Sequence, residues 1–143
     1  MILLEDKNRE YRRYRPNEVE KIQLANNGLQ WVLSSNVSAI GVSGEDLIIR
    51  FHNGSLYRYS NVGNRFEDIM RSNSKGHWVW VYLRRRAVPY EKIGTLPLNE
   101  DLELTDEEVM GRIVDEGLLV QQQLQALGLL SLEQLGLVGL QLN

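Results

Sequence analysis

Two stretches of this chain combine the residue types that grip charged or planar partners. One is Arg9-Glu10-Tyr11-Arg12-Arg13-Tyr14-Arg15. The other runs from Trp80 to Arg86, ends in Arg84-Arg85-Arg86, and is preceded by Trp78. Guanidinium groups neutralise phosphate and tyrosine stacks on unpaired bases, so this composition suits single-stranded nucleic acid. The same residues are the enriched anchors of protein interfaces. A sequence pI near 5.4 disfavours a polyphosphate partner and puts the protein interface first. A third stretch, Ser72-Asn73-Ser74-Lys75-Gly76, is open to two readings. Ser74 can cap a following helix while Gly76 permits a close approach, or Ser74, Lys75 and Gly76 can form a weak anion site. The turn reading is preferred.

Catalysis is poorly supplied. Cysteine is absent from the 143 residues, which removes thiolate metal sites, disulfides and a cysteine nucleophile. There are two histidines, His52 and His77. His52 is expected as an exposed or hydrogen-bonded strand residue rather than a base. No Gly-x-Ser-x-Gly elbow or phosphate-cradling glycine loop occurs. Asp106, Glu107, Glu108, Asp115 and Glu116 lack the spacing of a calcium loop and read as a solvated helix face. The expectation is a non-enzyme with no cofactor and no metal.

Charge divides the chain. Residues 1–99 hold 15 Lys/Arg against 10 Asp/Glu, a net +5, while residues 100–143 hold one against nine, a net −8. The elements follow from local signals. Residues 1–29 form a charged arm and a short helix over 18–26, opened by an Asn17/Glu20 capping box after Pro16 and stopped at Gly28. Its apolar positions are Val19, Ile22 and Ala25. From Gln30 the period becomes two, with Trp31, Leu33, Val37 and Ala39 reading as strand. Leu47–His52 and Ser55–Ser60 flank Asn53-Gly54, the best hairpin signal in the chain, since both residues tolerate positive φ. Asn61 or Asn64 is placed to cap a helix over 65–72 with Phe66, Ile69 and Met70 inward. His77–Arg86 alternates and is β-rich, which reads as strand. Residues 95–104 are a linker. Thr105/Glu108 is a second capping box, and Val109, Ile113, Val120, Leu124 and Leu127 at near-heptad spacing predict a helix to about Leu127, stopped by Gly128. Ser131/Gln134 offers a weaker box beyond it.

The segment 105–143 therefore runs from acidic to leucine-rich. Eleven leucines and one charge lie between Leu118 and Leu142. Glutamines interrupt the run well short of a membrane span. Leu124, Leu127, Leu130 and Leu135 are expected to bury against another protein or another copy of the chain.

Between Ser34 and Gly76 the sequence resembles the KTSC domain, a family named for its similarity to a C-terminal extension of lysyl-tRNA synthetases. The residues that carry this are Ser34-Ser35-Asn36-Val37-Ser38-Ala39-Ile40-Gly41, Leu47-Ile48-Ile49-Arg50-Phe51-His52-Asn53-Gly54, Tyr57-Arg58-Tyr59 with Val62, and Ser72 to Gly76. Leu83-Arg84 and Tyr90 continue it, so residues 30–94 form the likeness. Val42, Gly63 and Trp78-Val79-Trp80 depart from the family's usual residues. The resemblance implies an α+β fold, a small antiparallel β-meander of three to four strands packed with one or two helices. It also implies a helix over 77–85, against the alternation, and a non-enzymatic module common in bacteria and their phages.

Together these readings predict a non-catalytic assembly protein, a phage-encoded virion or assembly component that grips neighbouring subunits through its arm and tail. The alternative is a nucleic-acid-binding accessory module. With no signal peptide in MILLEDKNRE, the expected location is the host cytoplasm or a phage particle, without membrane contact.

Overall fold

The computed structural model describes residues 15–128. The chain is α+β. Helix α1 (Glu18–Asn26) leads into strands β1 (Leu29–Trp31), β2 (Val37–Ser43), β3 (Asp46–Phe51) and β4 (Ser55–Tyr59). A 3₁₀ turn (Gly63–Arg65) precedes helices α2 (Phe66–Arg71) and α3 (Lys75–Val79), and α3 continues as a π-helical turn over Trp80–Arg84. Strand β5 (Tyr90–Thr95) and helix α4 (Asp106–Ala126) complete the order.

The five strands form an antiparallel meander in the order β1-β2-β3-β4-β5. That is one strand more than expected. β5 escaped the pattern because it is an edge strand with almost every residue exposed, so its side chains do not alternate in polarity. The β3–β4 hairpin forms at Asn53-Gly54 as predicted, but only Gly54 takes positive φ (92°), and its N–H closes the turn on Phe51 O. His52 thus lies in the turn and is buried, not exposed on a strand.

Period-two burial divides the core. Leu47, Ile49 and Phe51 of β3 face Ile69, Trp78, Val79, Leu83, Val109 and Ile113 from α2, α3 and α4. Ile48 faces the other way, toward Leu24 of α1 and Leu98. The helix over 77–84 overturns the strand reading. Trp78, Val79 and Leu83 press on the sheet while Trp80 meets α4, so a segment covered on two sides is apolar on two sides and mimics alternation.

Both capping boxes are present: Asn17 with Glu20 and Thr105 with Glu108. The face of α1 differs from the expected one. Val19 and Ile22 are exposed, and Leu24 and Glu20 turn inward, because Glu20 Oε2 also accepts from Asn99 N at 2.8 Å. Neither Asn61 nor Asn64 caps α2, whose start is carried by the 3₁₀ turn without a side-chain cap. Asn61 takes φ 58° and donates its N–H to Asp46 Oδ1. α4 ends where predicted, before Gly128 at φ 69°. The Ser131/Gln134 box lies outside the described residues.

The linker is not loose. Arg50 of β3, fully buried, donates to Leu96 O (2.7 Å), Ser38 Oγ (2.7 Å) and the carboxylate of Asp101 (2.6 Å). A buried guanidinium is tolerated only when its N–H groups find acceptors, and this set supplies them. Asp106 then fixes the start of α4 by accepting from Asn53 Nδ2 (2.9 Å), Ser55 Oγ and Lys92 Nζ (2.8 Å). Burial alone would raise its pKa. The hydrogen bonds from Lys92, Ser55, Asn53 and Tyr57 outweigh that and hold the carboxyl well below the usual range. Burial, aided by Asp106, pushes the Tyr57 phenol up to about 12.

Candidate interaction surface

The α3–π segment carries most of the surface chemistry. Ser74 Oγ caps α3 by accepting from His77 N at 3.1 Å. Lys75 Nζ turns back onto the free carbonyls at the end of α2, Met70 O at 3.0 Å and Ser72 O, and burial lowers its pKa. Gly76 accepts a close neighbour, since a Cβ there would fall 2.0 Å from Glu116 Oε1. The turn reading of Ser72–Gly76 accounts for these contacts. An anion does sit there, but it is the chain's own: Glu116 accepts from Ser74 Oγ at 2.6 Å and from Asn36 Nδ2 at 2.7 Å. Asn36 Oδ1 in turn accepts from Arg112 Nε at 2.8 Å. Lys75 is engaged elsewhere and does not complete an anion pocket.

One residue further along α4, Gly117 performs the reciprocal role. A Cβ at Gly117 would lie 2.2 Å from Trp80 Cδ1. α3 and α4 therefore cross at two glycines, each accepting a bulky side chain of the other helix. This crossing seats the first three turns of α4 with Val109 and Ile113 in the core.

Beyond the crossing, the backbone widens. Arg85 N donates to Trp80 O at 2.9 Å and Val88 N to Leu83 O at 3.0 Å, both i to i+5. Such π turns are rare and are frequently found at functional sites. Ala87 at φ 51° ends the segment. Its arginines lie on aromatic rings: Arg86 and Arg65 each 4.8 Å from the Tyr82 centroid, Arg84 5.4 Å from Tyr90, and Arg85 5.9 Å from Trp80. Cation–π contact holds a guanidinium in place over the ring.

The predicted interface residues divide accordingly. Arg84, Arg85, Arg86, Trp80 and Tyr82 of the sequence-defined cluster come together with Arg65 and Tyr90, which the sequence did not connect to them. Trp78 is buried and donates its Nε1–H to Asp68, so it is a core residue and not a docking group. Leu127 is 70% exposed and Leu124 half-buried. Arg12, Arg13, Tyr14, Leu130 and Leu135 lie outside the described residues. Asn36, Arg112, Arg50 and Asp101 were missed, because a polar residue inside a β-rich or helical run carries no local sign of burial.

Burial shifts both histidines toward the neutral form. Burial, reinforced by the charges of Arg112 and Arg50, pushes His52 down to about 4, so it is neutral at ordinary pH. Burial also lowers His77, against the opposing effect of Glu116. Among the described residues no group of three or more His, Asp or Glu side chains is placed to hold a metal.

A five-stranded antiparallel meander with α2, α3 and α4 on one face, α1 on the other and a basic, aromatic-backed rim defines a small α+β module. Residues 33–86, from just before β2 to the end of the arginine run, match the family model of the KTSC domain. β5 and α4 lie beyond the matched residues. No curated protein matches the chain.

Proposed function

We propose that the chain is a non-catalytic interaction protein that assembles with further copies of itself through α4. The setting we infer is a phage particle or its assembly machinery, which rests on the occurrence of KTSC proteins in phages.

One observation carries this reading. The buried residues of α4 are Val109, Arg112, Ile113 and Gly117, and the helix then continues to Ala126 with none buried. Leu118 and Leu119 are 44% and 54% exposed. A free helical extension this short is marginal in water and gains its stability from packing. Ile113, Gly117, Val120, Leu124 and Leu127 follow each other at spacings of four and three, the spacing of a coiled-coil seam. The start of that stripe is used inside the chain, and its continuation offers the same geometry to a second copy. Each leucine buried there contributes about 2 kcal/mol before the entropy of association is subtracted. Among the described residues no helix is long and apolar enough to cross a membrane.

Sedimentation velocity across a concentration series tests the proposal. Dimers or larger species that dissociate on dilution are expected. A chain that stays monomeric at the highest concentrations reached would refute self-assembly.

A further inference from the structure

Two apolar surfaces of the chain do not meet each other. One is concave. A cleft of about 640 Å³ opens at the β1 edge of the sheet, lined by Ala25 of α1, Trp31 of β1, Ile40 and Val42 of β2 and Phe66 of α2. Val42 is 43% exposed, and Ile22, 60% exposed one turn before Ala25, carries the apolar surface onto the outside of α1. The other surface is convex, the stripe of Val120, Leu124 and Leu127 on the second half of α4. None of the described residues lining the cleft belongs to α4, and α4 runs unbroken to Ala126. Within one chain the ridge and the cleft therefore stay apart.

Their spacing and polarity match. Val120, Leu124 and Leu127 stand at i, i+4 and i+7, the anchor spacing by which an amphipathic helix fills an apolar groove. The last turn of α4 holds no basic residue, so the negative end of its dipole is not offset by a cation of its own. Lys21 lines the cleft, with its Nζ 5.1 Å from the Trp31 ring centroid and 3.5 Å from Glu18 Oε1. An ammonium has three N–H donors, so it can meet a helix end without giving up either contact. Residues 118–143 carry one charged side chain, Glu133, so the docking segment brings little of the chain's net negative charge with it. Residues 129–143 add seven more leucines, which lengthens the apolar segment that a neighbour can cover.

We infer that the Val120–Leu127 stripe of α4 in one copy seats in the β1-edge cleft of the next copy. This contact rests on the self-assembly through α4 proposed above and supplies the surface that receives the helix. Ridge and cleft are different surfaces, so each copy donates one and accepts with the other. Repetition then closes a ring or extends a filament.

Cysteine is absent from the chain, so single introduced thiols report which surfaces meet. Full-length Val42→Cys and Leu127→Cys chains are purified separately, mixed and mildly oxidised. In the control, Glu91→Cys replaces Val42→Cys, at an exposed position of β5 on the opposite edge of the sheet. Melting temperatures show that each variant folds, and Ala25→Cys takes the place of Val42→Cys if that chain melts lower than the natural one. Mixed disulfide dimers with Leu127→Cys are expected to form about tenfold faster or more from Val42→Cys than from Glu91→Cys, because docking raises the effective concentration of the two thiols. Leu127→Cys homodimers that outpace both mixed dimers would mean that α4 packs on α4, which overturns the cleft contact and leaves self-assembly standing. Equal rates from Val42→Cys and Glu91→Cys, in a chain that still associates on sedimentation, overturn it as well. A chain monomeric at every concentration overturns both readings. A Leu3→Cys/Val42→Cys chain that closes its disulfide within one molecule, with no mixed-dimer preference, would assign the cleft to the chain's own N-terminal segment instead.

Discussion

The two halves of α4 differ in what they touch. From Asp106 to Gly117 the helix is fastened at each turn: Asp106 to the hairpin, Val109 and Ile113 to the sheet, Arg112 to Asn36, Glu116 to Ser74, and Gly117 to Trp80. From Leu118 to Ala126 no residue is buried. One uninterrupted helix therefore has two parts, a first half that completes the domain and a second half with no buried residue. The lesson is that the folded unit extends past the residues that match the family model, since Asn36 and Ser74 within the match bond to Arg112 and Glu116 outside it.

The largest effect is expected where a buried charge would lose its partner. Asp101→Ala leaves Arg50 without its carboxylate and should destabilise the fold by about 3–5 kcal/mol in urea unfolding. A loss below about 1 kcal/mol would mean that the linker is not part of the domain. Ile113→Ala should cost about 2–5 kcal/mol by the same measurement, because the side chain is fully buried. Leu127→Ala, at a seam position that is 70% exposed, should change stability by less than about 0.5 kcal/mol while weakening association. Equal losses at Ile113 and Leu127 would erase the distinction between the halves.

A pH series separates the domain from its extension in another way. His52 has a folded pKa of about 4, below its ordinary value of 6.5. The unfolded chain therefore binds a proton that the folded chain refuses, and stability falls as pH drops from 6.5 toward 4. Asp106, with its lowered pKa, adds a loss that begins near the ordinary carboxylate pKa and deepens as pH falls further. In His52→Gln the decline between pH 6.5 and 4 should flatten, while the lower one remains. An unchanged slope in that variant would place the titration elsewhere.

Local signals explain which features were legible in the sequence. The Asn17/Glu20 and Thr105/Glu108 boxes, the Asn53-Gly54 turn and the Gly128 stop each depend on a few neighbouring residues, and each is in place. β5 and the 77–84 helix depend on partners distant in sequence, an edge pairing with β4 and a seat between the sheet and α4. The arginine cluster with its interleaved Trp80 and Tyr82 was legible as composition, but not the arrival of Tyr90 and Arg65 beside it. Trp78 was misjudged for the same reason: its burial is set by the sheet, not by its neighbours in sequence.

The most direct measurement is on the chain shortened to residues 1–117, examined by thermal melting and by sedimentation beside the full-length protein. Every buried residue of α4 is retained in it, so the domain should melt cooperatively within a few degrees of the full chain. The seam beyond Gly117 is gone, so the concentration-dependent association it supports should disappear. An unfolded truncation, or a folded one that associates as before, would contradict the division of α4 into a structural half and an associating half.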